Sequence, residues 1–228
     1  MSFTVTATEG GSPSSGIAML VKVLTGQAAS QPGQLASATQ ITPSLAITPG
    51  ATGSQVYGSA LGVGGTYTAN GSTSNEQDIH SVAGLEYLSF RSAAATTAGT
   101  PVTLGYTSAA NGISICLCEI KASGTLTEDA SAPAGVNALA TTVSTASFTP
   151  PAGSLLIAMV QSNGGGSVTT MGITDTSGLG LTWTEQVKQD GAGNGYSGIW
   201  TAPMPAPAAA GGGLDYNMLL ELVLGDDR

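Results

Sequence analysis

Three side chains that can bind cations alternate along one short segment of this 228-residue chain. Glu76, Asp78 and His80 occupy every second position, and His80 is the only histidine. In a β-strand such side chains share one face, so they could converge on a metal ion. Most metal sites recruit ligands from separate segments, and the polar stretch Ser72–His80 equally fits a solvated strand or loop. We therefore predict neither a metal site nor another cofactor.

Two glutamates occupy equivalent positions in two similar apolar segments. Glu119 lies in Ile113–Ile120, and Glu221 lies in Tyr216–Val223. A pair of carboxylates at the right separation is what glycoside hydrolysis requires. Repetition of the segment explains the pair without catalysis, so we interpret each as a buried or interface carboxylate that accepts hydrogen bonds from backbone amides or hydroxyls. No catalytic residue is predicted, and we expect the chain not to be an enzyme.

Two further segments resemble ligand loops. Asp175, in Thr174–Gly178, is typical of an aspartate that caps its own turn, with a calcium ligand as the alternative. Gly191–Gly195 resembles a phosphate-binding loop, but no helix is predicted after it, so a phosphate site is not expected. The sequence contains no nucleophile elbow, P-loop, zinc-protease motif or EF-hand loop.

Aromatic and sulfur side chains complete the candidates. Stacking on sugar rings is one use of the aromatic residues, but they lie in apolar strand patterns that favour core packing; these residues are Tyr87, Trp183, Tyr196 and Trp200. Cys116 and Cys118 lie two apart in one predicted strand, about 6.5–7 Å from each other, at the limit of a disulfide. We expect two buried free thiols.

The charge of the chain restricts its partners. It carries 14 acidic and 5 basic residues, a net charge of −9, and only 8% of its residues are charged. Nucleic acids and anionic membranes attract clustered Lys and Arg, which this sequence lacks, so neither is expected as a partner. A surface with few ions costs little to desolvate, which favours packing against neighbouring proteins.

Hydrophobic periodicity predicts β-strands and no amphipathic helix. The predicted strands are Phe3–Ala7, Ile17–Leu24, Ser44–Thr48, Gln55–Leu61, Ile79–Val82, Leu85–Phe90, Val102–Tyr106, Ile113–Ile120, Ala140–Phe148, Leu155–Gln161, Thr169–Thr174, Thr182–Gln189, Tyr196–Ala202 and Leu214–Leu224. Strands about eight to fifteen residues apart, separated by Gly-rich turns, are typical of an all-β sandwich.

The sequence also shows an internal repeat. Ser15–Val23 resembles Gly153–Val160, and Ile113–Ile120 resembles Tyr216–Val223. We predict two tandem antiparallel β-sandwich or jelly-roll-like lobes from an internal duplication, with lobe 1 at residues 1–121, a linker at 122–135 and lobe 2 at 136–228. The repeated strands are apolar on both faces, so a sibling lobe, a loop or another subunit must cover the second face.

The second half resembles a known family. Its landmarks are Pro151-Ala152-Gly153-Ser154-Leu155-Leu156-Ile157-Ala158, Ile173-Thr174-Asp175-Thr176-Ser177-Gly178, Leu181-Thr182-Trp183-Thr184 and Ile199-Trp200-Thr201-Ala202. This pattern over residues 140–224 is similar to a β-sandwich repeat of minor structural proteins of tailed bacteriophages, particularly those of high-GC hosts. The first half is a weaker copy that lacks the Trp-Thr segment.

The resemblance implies a non-enzymatic virion protein, exposed as capsid decoration or as a minor tail component. Its partners would be major capsid or tail proteins, with homo-oligomeric or lattice contacts. It would be made in the host cytoplasm without a signal peptide, because Met1–Thr6 shows no basic or continuously apolar leader. The alternative is a carbohydrate-binding or adhesin-like sandwich that contacts a host surface.

Overall fold

The chain folds into β-strands and turns. The computed structural model describes residues 1–10, 16–42, 44–64, 67–80, 84–107, 111–163, 168, 170–191 and 195–206. These residues contain no helix, so the predicted all-β class is confirmed. The strands are β1 (Val5–Gly10), β2 (Ile17–Gln27), β3 (Leu35–Gln40), β4 (Ser44–Ile47), β5 (Gln55–Val63), β6 (Thr68–Ala69), β7 (Thr73–His80), β8 (Leu85–Ser92), β9 (Val102–Thr107), β10 (Asn111–Ile120), β11 (Ala122–Glu128), β12 (Val136–Ala138), β13 (Thr142–Ser144), β14 (Leu155–Ser162), β15 (Thr170–Asp175), β16 (Thr184–Gly191) and β17 (Gly195–Pro203).

The strands from β3 to β10 form one sandwich, here called the first sandwich. Its large sheet has the order β3-β10-β5-β8-β7, and its small sheet has the order β4-β9-β6. Alternate side chains of the large sheet, such as Leu88 and Phe90 on β8, face the small sheet, where they pack around Leu104 and Tyr106. The ring of Phe90 meets that of Tyr106 edge-on, with centroids 5.4 Å apart.

The remaining strands form the second sandwich. Its large sheet has the order β11-β2-β14-β17-β16, with β12 also paired to β2, and its small sheet has the order β13-β1-β15. Its core contains Phe3, Val5, Met19 and Leu156, all essentially inaccessible to solvent. The N-terminal strands β1 and β2 therefore complete a sandwich whose other strands all come from the second half of the chain.

The two large sheets stack on each other and bury a third apolar layer between them. This layer includes Leu20 of β2, Ile157 of β14 and Cys116 of β10. The hydrophobic strands β2 and β14 are buried on both faces because each lies inside its sheet and between two cores. Their apolar character on both faces, which the sequence shows, is thus explained by contacts within the chain.

The strand order is the same in both sandwiches, although the chain path differs. In the large sheets β10 lies beside β5 just as β2 lies beside β14, and in the small sheets β9 takes the place of β1. Even the turns before β5 and β14 agree, because Ser54 donates to the Ala51 carbonyl and Ser154 to the Pro151 carbonyl, both at 2.7 Å. An origin by duplication stays a prediction.

The strand grouping differs from the expected division into 1–121 and 136–228. The similar segments Ser15–Val23 and Gly153–Val160 do not open separate lobes. Their apolar parts lie in neighbouring antiparallel strands of one sheet, with Ile17 opposite Ser162 and Leu24 opposite Leu155. Similarity along the chain does not reveal pairing, because two similar apolar strands can fill equivalent or adjacent positions. The expected linker contains β11, which pairs with β2.

Several expected elements were displaced or missed. β3, with the polar sequence LASATQ, was not predicted, and β7 spans Thr73–His80 where Ile79–Val82 was expected. Both are outer strands of the first large sheet, where one unburied side weakens the hydrophobic signal. The predicted strand Leu214–Leu224 lies outside the described residues.

Candidate functional site

The possible cation site on β7 is used differently in the structure. The Glu76 carboxylate contacts two cationic side chains, Lys22 and Arg91, which neutralise it. The side chains of Asp78 and His80 lie outside the described part of the molecule. Within the described part, no group of three or more His, Cys, Asp or Glu side chains is arranged to hold a metal ion.

Four charged side chains meet between the two sandwiches and form an ion cluster (Lys22, Glu76, Arg91 and Glu128). Lys22 of β2 contacts Glu76 of β7 and lies 3.0 Å from Glu128 of β11. Arg91 Nε of β8 lies 2.7 Å from Glu76 Oε1 and 3.1 Å from Glu128 Oε1. Each acid therefore touches both bases. Two strands of each sandwich contribute one residue each, so the cluster joins the sandwiches where the apolar layer reaches solvent.

A tyrosine connects this cluster to the apolar layer. The Tyr57 hydroxyl donates to Glu128 Oε1 at 3.0 Å. Burial, and to a smaller extent the negative charge of Glu128, raises the pKa of Tyr57 far above 10.0. Burial acts to lower the pKa of Lys22, but its hydrogen bonds and its attraction to Glu76 and Glu128 outweigh burial, so the pKa lies above 10.5. Lys22 stays protonated and the Tyr57 hydroxyl stays neutral near neutral pH, which suits a structural role.

Glu119 is a buried carboxylate with four donors around it. The donors are Gln34 N at 2.8 Å, Gly50 N at 2.9 Å, Ala51 N at 2.9 Å and Ser54 Oγ at 2.7 Å. Its side chain has no exposed surface. Burial acts to raise its pKa, but these hydrogen bonds outweigh burial and hold the pKa below 4.5.

The environment of Glu119 matches the sequence-based interpretation of a hydrogen-bonded buried carboxylate. An ionised group whose oxygens are all engaged and that water does not reach cannot act as a general acid or as an accessible nucleophile. Glu119 instead ties the loops before β3 and β5 to β10. Glu221 lies outside the described residues, so the interpretation of Glu221 as a buried or interface carboxylate stays a prediction.

Asp175 caps its own turn, as its sequence context predicts. Its Oδ1 accepts hydrogen bonds from the Ser177 amide at 2.9 Å and from the Ser177 hydroxyl, and its Oδ2 accepts one from Trp183 Nε1 at 3.1 Å. Both carboxylate oxygens are engaged by the protein. The turn borders a shallow hollow of about 390 Å³, which is lined by Ile173, Thr174, Asp175, Gly178, Gly180, Leu181 and Trp183.

The aromatic candidates are mostly structural. Tyr87 and Tyr196 are 1% and 2% exposed, which confirms the core-packing interpretation for these two. Trp183 and Trp200 are partly buried against the core of the second sandwich. Trp200 Nε1 donates to the Tyr196 hydroxyl at 3.2 Å, which in turn donates to Glu185 Oε1 at 2.6 Å. An indole is thus fixed in orientation at the edge of the core.

The glycine-rich segment and the cysteines also have structural positions. Gly191 ends β16 and lies opposite Gly195, which begins β17, and residues 192–194 lie outside the described residues. Cys116 and Cys118 are buried free thiols, as predicted. Burial raises the pKa of Cys118 to about 12 and that of Cys116 well above 9.0, so neither forms a reactive thiolate near neutral pH.

Sequence reasoning did not predict the ion cluster or a second buried acid. The signal for the cluster was Lys22, a single charge inside the apolar strand Ile17–Leu24, because a long apolar strand keeps a lysine only where an acid can meet it. The second acid is Glu9 of β1, which is 5% exposed and accepts a hydrogen bond from the Ser162 hydroxyl. No comparable sequence signal marked Glu9.

No protein-family model, no curated protein and no solved structure matches the chain. Among the residues that the structure describes, no helix is long and apolar enough to span a bilayer.

Proposed function

We propose that this chain is a non-enzymatic structural protein of a tailed-bacteriophage virion, on the particle surface as capsid decoration or as a minor tail component. Its partners are major capsid or tail proteins. It is made in the host cytoplasm and reaches its place by particle assembly.

The observation that supports this proposal most is the use of the ionisable side chains. Glu76, Glu119, Glu128 and Asp175 are each engaged by groups of the protein itself, at the junction of the sandwiches, at a loop anchor and in a turn. Catalysis needs titratable groups that face a substrate. Side chains used in this way stabilise a rigid stack of four sheets, which suits a protein that works by occupying a place in an assembly.

The outer surface supports the same conclusion. The exposed positions of β3 and β13 carry Ser and Thr at four of five places, Leu35 being the exception, and the sequence has few ions to desolvate. A polar but uncharged surface loses little hydration energy when it packs against neighbours. Repeated contacts in a lattice are favoured by such a surface.

The test is the location of the protein in infected cultures. Particles purified by sedimentation are expected to contain it, and quantitative mass spectrometry gives its copy number relative to the major capsid protein. Capsid decoration predicts hundreds of copies and tail attachment predicts few. Recovery of the protein only from the soluble fraction, with none in washed particles, would refute the proposal.

A second candidate is carbohydrate binding, which the hollow beside Trp183 favours. An indole held by Asp175 at the rim of a surface hollow is a feature of sugar-binding sites, since aromatic faces stack on sugar rings. Saturable binding to a host glycan that is lost in Trp183→Ala, with unchanged thermal stability, would establish it. Trp200→Ala is the matched control on the same sandwich, and equal losses in both variants would point to a structural effect.

A further inference from the structure

Among the described residues, no strand pairs with the outer edge of β3. β3 is the outermost strand of the first large sheet and pairs with β10 from Leu35 to Gln40. Its side chains alternate between exposed and half-buried positions, and the half-buried Ala36 and Ala38 pack on the core. An outer strand of this kind offers backbone amides and carbonyls to another strand.

Other outer strands of the large sheets carry features that discourage such pairing. β7 contains Glu76 and a shift of register between Asn75 and Gln77. β16 contains Glu185 and Lys188, which lie 3.4 Å apart, and its register shifts after Glu185. β11 also has a register shift and ends in Glu128. Charges and bulges at sheet edges oppose the addition of a strand.

By contrast, β3 has no such protection. Its six residues include no charge and no proline, and its register with β10 is continuous. Leu35, at its start, is 42% exposed, and Ile41, directly after its end, is 76% exposed. The described chain has five exposed large hydrophobic residues, and two of them flank this one strand; the five are Met1, Leu35, Ile41, Leu139 and Leu179.

The positions of these two residues are self-complementary. If two copies of β3 pair in antiparallel fashion about Ala38, Leu35 of each copy lies opposite Ile41 of the other, and Ser37 lies opposite Thr39. Leu35 begins β3 and Ile41 directly follows its end, so the pairing extends the strand by one residue, which places both side chains on one face. Directly opposed side chains in an antiparallel pair have Cβ atoms about 4.5–5.5 Å apart, so each Leu–Ile pair would be in contact.

We propose that β3 forms a two-fold, antiparallel edge contact with β3 of a second copy of this chain, centred on Ala38. The contact joins two five-stranded sheets into one continuous sheet. The net charge of −9 opposes association of copies, and the uncharged strand β3 adds no like-charge repulsion at the contact itself.

The strength of this contact fits an assembled particle. One six-residue edge buries less than the roughly 1,200–2,000 Å² of a stable interface, so the free protein should dimerise weakly. High local concentration on a particle favours weak contacts. The role of this contact on a particle rests on the proposed function. The contact itself can be measured on the purified protein.

The first experiment uses Ala38→Cys in the full chain. Residues directly opposed across an antiparallel pair have Cα atoms about 4.5–5.5 Å apart, within the range of a disulfide. Cys116 and Cys118 are fully buried and should not compete. Mild oxidation is expected to give a covalent dimer on non-reducing gels. Ala46→Cys is the control, because Ala46 is an exposed alanine on the short, uncharged strand β4. Equal dimer yields from both variants, or none from Ala38→Cys, would overturn the proposal.

The second experiment uses Ser37→Lys, which adds a charge to the edge without touching the core. Sedimentation equilibrium is expected to show at least tenfold weaker dimerisation than wild type, while Thr103→Lys, at an exposed position of the central strand β9, leaves the constant unchanged. Hydrogen exchange of the β3 amides should slow as wild-type concentration rises. Slow exchange in a protein that stays monomeric at every concentration would mean that another part of the same chain covers the edge, and this would also overturn the proposal.

These results can be separated from the proposed function. Presence in purified particles tests the virion role whether or not β3 pairs with itself. A protein that dimerises through β3 but never enters particles would retain the contact and refute the virion role.

Discussion

A buried carboxylate needs donors for each of its oxygens, and Glu119 has four. In the second sandwich, β2 takes the place of β10, and the apolar Val23 lies opposite Leu156 as Glu119 lies opposite Val56. The turn before β14 has prolines at positions 150 and 151, which provide no amide hydrogen. The first sandwich thus uses a charged anchor where the second uses an apolar contact.

Replacing Glu119 tests this anchor. Glu119→Gln removes the charge and places an NH₂ group among donors, so at least one buried N–H loses its acceptor. We expect the free energy of unfolding to fall by about 2 kcal/mol, which corresponds to a decrease in Tm of roughly 4–8 °C. Asp190→Asn, at an exposed carboxylate of β16, is the control and should change Tm little.

The difference in stability between wild type and Glu119→Gln should depend on pH with a defined sign. The folded-state pKa of Glu119 lies below 4.5. Its contribution to the free energy of unfolding is therefore complete above the unfolded-state pKa and is lost as pH falls through the folded-state pKa. The stability gap between wild type and Glu119→Gln should therefore narrow below about pH 4.5. A gap that stays constant down to pH 2 would contradict the assignment. Chemical denaturation at a series of pH values measures it.

Lys22 offers a second test at the scale of single residues. Lys22→Met leaves the half-buried Glu76 and Glu128 with only Arg91 as a cation. We expect the free energy of unfolding to fall by about 2 kcal/mol, because these side chains are partly shielded from water. Because the pKa of Lys22 is raised above 10.5, the loss should be complete near neutral pH and shrink as pH rises through the folded-state value.

The control for this substitution is Lys188→Met. Lys188 is 57% exposed and lies 3.4 Å from Glu185 on the same strand, a surface pair worth less than about 1 kcal/mol. Equal effects of the two substitutions on urea midpoints would mean that the ion cluster contributes no more than a surface pair.

At the scale of elements, hydrophobic pattern predicted strands well and pairings poorly. β14 reads Leu-Leu-Ile-Ala-Met-Val and is buried throughout, and a strand over Leu155–Gln161 follows from those residues alone. The pairing of β14 with Ile17–Gln27 cannot be predicted from the residues, because backbone hydrogen bonds form equally with any extended neighbour. β3 was missed since Ser37 and Thr39 face solvent and Ala36 and Ala38 are weakly apolar.

The interleaved path makes a prediction about fragments. A chain that begins at residue 136 lacks β1 and β2, so β14 loses all eight residue pairs with β2, and the core loses Phe3 and Val5. We expect this fragment to show no cooperative thermal transition by circular dichroism. Addition of residues 1–27 as a separate peptide is expected to restore part of the signal, and a cooperative melt of the fragment alone would contradict the assignment of β1 and β2 to the second sandwich.

At the scale of the whole molecule, the central layer should report on global unfolding. Cys116 and Cys118 lie between the two large sheets, far from either outer face, and burial suppresses their ionisation. Labelling by iodoacetamide at pH 8 is therefore expected to follow the unfolding rate as denaturant is added. Rapid labelling of the native protein would show that the sandwiches separate without unfolding.

The candidate site was predictable in part at this scale. The capping role of Asp175 followed from its neighbours in sequence, and the buried state of Glu119 followed from its apolar strand. The ion cluster could not be predicted in this way, because its members come from β2, β7, β8 and β11, and only the stacking of two sheets brings them together. Long-range contacts of this type depend on topology, which composition does not encode.

The path of the chain also sets an order of events during synthesis. β2 is complete at Gln27, yet its neighbour β14 begins only at Leu155. At about 5–20 residues per second, an apolar strand waits on the order of ten seconds for its partner to leave the ribosome. The strands from β3 to β10 emerge in that interval and can close their own sandwich, so the nascent β2 has a finished sheet to lie against before its own sheet exists.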